Sequence, residues 1–294
     1  DADAAIADLT AAGEQVWKVG GRRVLPRILR SRTGYANPRV RHLVHRIGFA
    51  WHSYRCTKPN MAAWLRDRRE IFPHVVQAQT INRCNAACEF CPYPTTVALE
   101  PLRTMPDDLW TRIVTECAAE PDLVTLVPMS KNEPTLDSRL ARRIAEFDRL
   151  RQPHQIVELV SNGSTLTAAR VRSLVDAGLD LLTVSVNAAD AETYRRVVKK
   201  LSWERVTGHL DRLAAADLPT LNVYVRFTKD LTNRREVRAF RRRWRRLNLF
   251  GFNVNNRAGA VADFDRLHVR YAPAFEWLRA QAMRAVYPVC PYLF

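Results

Sequence analysis

The chain has 294 residues, of which 47% are hydrophobic, so it can bury the core of one large domain or two ordinary ones. It has no apolar run near the roughly 18 residues of a membrane span, and its first residues lack a secretory signal, so we expect a cytoplasmic protein without a membrane partner. The formal net charge of the chain is +16. Two runs rich in arginine, in residues 20–32 and 234–246, are either solvent-exposed faces or a surface for an anionic partner.

In chain order, a basic, helix-leaning region over residues 1–74 comes first. From residue 75, runs rich in β-branched residues alternate with helical patterns. Strands are predicted at 75–81, 123–128, 156–160, 181–186, 221–227 and 251–254, and helices near 106–119, 136–149, 167–177, 190–216 and 232–247. This alternation predicts βαβ units and a parallel sheet, in either a doubly wound fold or a partial barrel.

Polar residues follow almost every predicted strand. A triple-cysteine loop comes after the first strand, Glu133 after the second, Asn162 after the third and Asn187 after the fourth. In either fold, reactive groups lie at the carboxyl ends of parallel strands. The sequence therefore predicts one active site at this edge of the sheet.

Three of the six cysteines, Cys84, Cys88 and Cys91, form a C-x3-C-x2-C loop. Clustered thiols without a secretory signal indicate a metal site rather than a disulfide framework. Fe–S clusters usually take four cysteines, so three imply an iron with an open coordination position. The alternative is a structural zinc knuckle, for which no nearby His or Cys supplies a fourth ligand.

This loop, with an aromatic residue before its last cysteine, resembles the signature of the radical S-adenosylmethionine (SAM) superfamily. The resemblance runs from about residue 75 to 260. It implies an α/β fold, a partial (β/α)6 TIM-like barrel over 75–260, behind an N-terminal helical extension over 1–74. It also implies that the three cysteines hold a [4Fe–4S] cluster, that SAM binds the open iron, and that an electron donor such as flavodoxin or ferredoxin reduces the cluster.

The resemblance assigns SAM contacts residue by residue. Asn132-Glu133-Pro134 stands where the family usually has Gly-Gly-Glu-Pro, so Glu133 is expected to meet the SAM amino group, although Lys131-Asn132 replaces the glycines. A helix-capping role for Glu133 is the alternative. Arg226 is either a partner of the SAM carboxylate or part of a surface ion pair. The other predicted SAM contacts are Phe90, Ser161, Asn162, Ser185, Asn187 and Val254.

A Cys-Pro-aromatic step at Cys290 resembles the opening of a SPASM or twitch extension, which carries auxiliary Fe–S clusters. We therefore expect residues 261–294 to begin such an extension, with its remaining cysteines absent from this chain. Cys290 is then a candidate ligand of an auxiliary cluster.

The predicted reaction begins when the cluster cleaves SAM and the 5′-deoxyadenosyl radical abstracts hydrogen from the substrate. A natural-product substrate is expected, such as a sugar, aminocyclitol or nucleoside, with oxidation, epimerisation or bond formation as the outcome. The first alternative is maturation of a ribosomally made precursor peptide, and a lesser one is RNA modification. A different class is a non-enzymatic Fe–S or zinc protein, which would not convert SAM.

Overall fold

The computed structural model describes residues 72–73, 75–216, 218, 220–229 and 233–253, with the backbone alone for residues 248–253. Several predictions fall on other parts of the chain. The helical extension (but for residues 72 and 73), Val254 and the C-terminal extension with Cys290 lie outside the described residues.

Six strands form one sheet, in which all neighbours are parallel and the spatial order follows the chain order. The strands are β1 (Val75–Gln77), β2 (Thr125–Val127), β3 (Ile156–Ser161), β4 (Leu181–Ser185), β5 (Asn222–Lys229) and β6 (Asn248–Asn253). A doubly wound sheet reverses its strand order partway, and this sheet does not. In the described part of the chain β1 and β6 do not pair, so the partial, open barrel is confirmed.

Helices connect the strands. The α-helices within the described residues are α1 (Asp107–Ala119), α2 (Leu140–Leu150), α3 (Ala168–Asp176), α4 (Ala191–Val197), α5 (Trp203–Ala215) and α6 (Val237–Arg243). Three of them start at a side chain that accepts a hydrogen bond from the first turn: Thr167 for α3, Asp190 for α4 and Ser202 for α5. None of the described helices is long and apolar enough to cross a membrane.

The largest departure from prediction is the helix expected over 190–216, which is two helices. Lys199 and Lys200 separate them with φ of 53° and 64°, in the left-handed region that ends helices. The strand predicted over 75–81 ends at Gln77, since Ile81 forms only an isolated bridge with Thr104. The last strand begins at Asn248, because the helix predicted over 232–247 stops at Arg243.

The core lies between the sheet and its helices. On β3, Val157 and Leu159 are buried in this core, whereas Glu158 and Val160 alternate with them and point to the opposite face, which we call the inner face. The register places Thr183 of β4 and Tyr224 of β5 beside them on the same face. The inner face is therefore partly polar, unlike the core face.

Candidate active site

The cysteine loop follows β1 at the carboxyl edge of the sheet. Cys84, Cys88 and Cys91 are free thiols, and each is half-buried. The Cys84 sulfur accepts hydrogen bonds from Ala86 N at 3.5 Å and from Asn162 Nδ2 at 3.9 Å, and the Cys91 sulfur accepts one from Tyr93 N at 3.5 Å. Polypeptide donors thus already point at two of the three sulfurs.

Electrostatics shows what these thiols need in order to ionise. The pKa of Cys84 is raised to about 11, chiefly by burial, with the hydrogen bond from Ala86 N acting to lower it and the charges of Glu133 and Cys91 acting to raise it. Burial also raises the pKa of Cys88 well above the ordinary thiol value, with the charges of Cys91 and Cys84 as the next causes. Three thiolates that repel one another need nearby positive charge, which bound iron would provide.

A single zinc ion is the alternative occupant of this loop. In the described ranges, no group of three or more His, Cys, Asp and Glu side chains is placed to hold one metal ion. In a cubane each cysteine ligates a different iron, so its ligands are spread more widely than those of a zinc ion. The zinc alternative therefore finds no support among these residues.

Backbone hydrogen bonds fix the loop from two sides. On one side, Glu133 N donates to Arg83 O at 2.7 Å. On the other, Glu89 N donates to Val197 O at 2.9 Å and Ala87 N donates to Val198 O at 3.4 Å. Val197 and Val198 form the end of α4, where helical carbonyls lack partners within their own helix. The loop therefore satisfies groups that the helix leaves open.

Glu133 lies at the centre of a hydrogen-bond network, with only 1% of its surface exposed. Its Oε1 accepts from Thr135 N at 3.2 Å, from Thr135 Oγ1 at 2.5 Å and from Ser161 Oγ at 2.8 Å, and its Oε2 accepts from Asn162 N at 2.6 Å. Burial raises the pKa of Glu133, although these bonds act to lower it. The carboxylate joins the loop after β2 to the end of β3. It also caps the 3₁₀ helix Pro134–Leu136, so the helix-capping role that was the alternative prediction for Glu133 is confirmed.

Asn162 and Gly163 form the turn after β3. The Asn162 side chain donates to Asn85 Oδ1 at 2.8 Å as well as to the Cys84 sulfur, and its Oδ1 accepts from Ser164 N at 3.0 Å. Gly163 has φ of +81°, and an added Cβ would lie 2.8 Å from Val184 Cγ1. The turn therefore requires glycine, and it brings Asn162 into contact with the cysteine loop.

The remaining predicted residues lie around this centre. Ser185, the last residue of β4, and Arg226, in the middle of β5, are register partners on the inner face. Asn187 is buried with φ of 64°, and its Oδ1 accepts from Thr228 N at 2.8 Å, so it also fastens the end of β5. Phe90 is half-buried and packs against the hydrophobic core.

The structure adds residues that the sequence analysis missed. Asn85 donates to Ser164 Oγ at 2.9 Å and so connects the cysteine loop to the turn after β3, a contact that no motif signals. Glu158 lies on the inner face, and burial raises its pKa while Arg226 acts to lower it. The sequence could have located Glu158, because it alternates with Val157 and Leu159 along a predicted strand and a carboxylate at an inward-facing strand position is uncommon.

Comparison with known proteins gives consistent results. The sequence model of the Radical SAM superfamily matches residues 79–240. The PqqA peptide cyclase of Rhizobium meliloti (strain 1021) is 32% identical over 159 residues, which are 52% of this chain and 40% of that protein. The GTP 3′,8-cyclase of Mycobacterium ulcerans (strain Agy99) is 30% identical over 140 residues, which are 46% of this chain and 36% of that protein.

Among solved structures, Streptococcus suis SuiB bound to precursor peptide SuiA matches with a TM-score of 0.57 at 13% identity. The match covers 77% of this chain and 49% of SuiB, and at this identity it shows the fold alone. This chain spans less than half the length of each of these three relatives.

Proposed function

Because this chain belongs to the radical SAM superfamily, whose members use a [4Fe–4S] cluster and SAM, we propose that Cys84, Cys88 and Cys91 hold such a cluster and that the chain cleaves SAM reductively. The observation that carries the proposal is the triad of free, half-buried thiols at the carboxyl edge of a parallel sheet, which burial and mutual repulsion leave in need of bound cations. When bound, the cluster supplies the electron that splits SAM into methionine and a 5′-deoxyadenosyl radical.

Glu133 is proposed to orient the SAM amino group. Among the described residues its Oε1 has three donors and its Oε2 has one, so acceptor capacity for an ammonium group is left on Oε2. Because Ser161 and Asn162 hold this carboxylate, its orientation is set before SAM binds. Arg226 is proposed as the partner of the SAM carboxylate. The other proposed SAM contacts are Phe90, Ser161, Asn162, Ser185, Asn187 and Val254.

The substrate class that we propose is a small polar natural product, such as a sugar, an aminocyclitol or a nucleoside. The inner face supports this choice, because Glu158, Thr183, Tyr224 and Arg226 offer both acceptors and donors to a polar molecule inside an open barrel. Hydrogen abstraction from such a substrate would lead to oxidation, epimerisation or bond formation, and a flavodoxin or ferredoxin would supply the electrons.

A second candidate is maturation of a ribosomally made peptide by an enzyme of the SPASM type. The observation in its favour is the 32% identity to a PqqA peptide cyclase. Under this alternative the exposed arginines of 234–246 would suit an acidic peptide.

Anaerobic reconstitution tests the proposal directly. We expect about four irons per chain, or about eight if an auxiliary cluster involving Cys290 exists, and release of 5′-deoxyadenosine and methionine when SAM and dithionite are added. Cys88→Ala should abolish this release. Cys117→Ala is the matched control, because Cys117 is buried in α1, and the control should keep the activity. Release from the Cys88 variant at the wild-type rate would refute the assignment.

The substrate class is tested by transfer of deuterium into 5′-deoxyadenosine. Deuterated aminocyclitols, sugars and nucleosides form one set of candidates, and precursor peptides with acidic leaders form the other. Transfer from the peptide set alone would replace the first substrate class with the second.

A further inference from the structure

Glu158 is a half-buried carboxylate on the inner face of the sheet, in the middle of β3. Its Oε1 accepts one long hydrogen bond, from Thr183 Oγ1 at 3.4 Å. No Lys or Arg of the described residues forms an ion pair with it. An ionised carboxylate can accept about four hydrogen bonds, so most of the acceptor capacity of Glu158 is unused by the described polypeptide.

The fold does not explain why a charge stands at this position. Glu133, which does serve the fold, accepts four hydrogen bonds among the described residues and joins two segments of the chain. Glu158 joins only its own strand to Thr183 on the next one. The following residue on the same face of β3 is Val160, so an apolar side chain is accepted there. A partly buried charge that stabilises no other segment is a candidate for binding a ligand.

The Glu158 side chain leans toward the carboxyl edge of the sheet, where the cysteine loop lies. Its register partner on β4 is Leu181, whereas its hydrogen-bond donor Thr183 lies two residues further toward that edge. Thr183 is the register partner of Tyr224, and Arg226 follows two residues later on β5. Parallel strands rise about 3.3 Å per residue, so the carboxylate lies roughly 7 Å below the level of Arg226 along the strands.

A cation suits this position better than a neutral group. Burial raises the pKa of Glu158, while the hydrogen bond from Thr183 and the charge of Arg226 act to lower it. A hydroxyl can donate to the carboxylate but leaves its charge uncompensated. An ammonium group donates up to three hydrogen bonds and carries the opposite charge. Tyr224 on the same face adds an aromatic ring, the kind of group that attracts ammonium ions.

We propose that Glu158 binds an ammonium group of the substrate, so that the natural product is an amine, such as an aminocyclitol or an amino sugar, rather than a neutral sugar or nucleoside. This inference rests on the proposed function, in which the substrate enters the open barrel beside SAM. Arg226 does not compete for the carboxylate, because it lies nearer the edge and is the proposed partner of the SAM carboxylate. Glu158 is then a specificity-determining residue, since an analogue without the amine leaves its charge unpaired.

The test is calorimetric titration of the reconstituted protein with SAM bound and no reductant present. The probes are a panel of aminocyclitols and amino sugars, each paired with the analogue that carries a hydroxyl in place of the amine. We expect the amine that binds most tightly to bind about 10- to 100-fold more tightly than its analogue. Glu158→Gln keeps the shape of the side chain but removes its charge, and it should make the two affinities nearly equal. Glu192→Gln is the matched control, because it removes the same charge from an exposed position on α4 and should keep the wild-type ratio.

Three outcomes would overturn this inference alone. They are a panel in which no amine binds, analogues that bind the wild type as tightly as their amines, and a wild-type ratio of affinities in Glu158→Gln. The first two are measured on the wild type, so they do not depend on how well the variant folds. A wild-type protein that releases no 5′-deoxyadenosine from SAM and dithionite would overturn the proposed function as well, so the two failures are distinguishable.

Discussion

Gly163→Ala is expected to destabilise the protein by about 2–5 kcal/mol, a value that follows from its surroundings. A side chain at φ of +81° costs about 1–2 kcal/mol in backbone conformation. The new Cβ would also lie 2.8 Å from Val184 Cγ1 and 3.1 Å from Val206 Cγ1. Both valines are 0% exposed, so neither can move without disturbing the core, and such overpacking costs about 1–3 kcal/mol.

Urea unfolding of the apoprotein, followed by circular dichroism, measures this loss. Gly208→Ala is the matched control, because Gly208 lies within α5 and its added Cβ would meet only Arg212 Nη1 at 3.8 Å. The control should be more stable than the wild type by about 0.5–1 kcal/mol, the usual gain from alanine in a helix. A loss below about 1 kcal/mol for Gly163→Ala would show that the turn adapts, and the reasoning would be wrong.

Glu133→Gln should lower the free energy of unfolding by about 1–3 kcal/mol and weaken SAM binding, because the new amide turns an N–H toward groups that are themselves donors. An unchanged SAM affinity, measured by calorimetry, would count against the proposed contact. Glu158→Gln should gain stability relative to the wild type as pH rises above about 4, the ordinary range of a glutamate pKa. Burial raises the pKa of Glu158, so the folded wild type keeps the Glu158 proton to a higher pH than the unfolded chain does. The wild type therefore loses stability as pH rises through the folded-state pKa, whereas the glutamine variant does not. A difference in urea midpoints that does not change with pH would contradict this. Asn187→Ala should lower the free energy of unfolding by about 2–4 kcal/mol, because its φ is 64° and the hydrogen bond from Thr228 N is lost. Asn187→Gly should recover the part of this loss that comes from the backbone conformation. Equal urea midpoints for the two variants would exclude left-handed strain.

Hydrophobic periodicity was sufficient to predict six strands alternating with helices and a parallel sheet, because it reports which residues are buried. It left a doubly wound sheet and a partial barrel open, and the partial barrel followed only from the family resemblance. The break between α4 and α5 was missed, although Ser202 is a typical N-cap, because the apolar period continues across it. Periodicity does not report the left-handed turn at Lys199 and Lys200.

The site was less predictable than the fold, because hydrogen bonds between distant segments leave no local pattern. The motifs located Glu133 and Asn162, but not the bond from Asn162 N to Glu133 Oε2 or the contact of Asn162 with Asn85. The same holds for Asn187, whose side chain fastens the end of β5. Composition and spacing identify which groups can do chemistry, whereas the register of the sheet decides which of them meet.

The attachment of the cysteine loop to α4 also has a consequence for biogenesis. The loop leaves the ribosome long before the carbonyls of Val197 and Val198 to which Ala87 and Glu89 donate. Until that helix forms, the three cysteines belong to an unfastened segment, since distant contacts form late in folding. We therefore expect iron loading to follow synthesis of α4, so that ribosome-bound chains ending before residue 198 would remain metal-free.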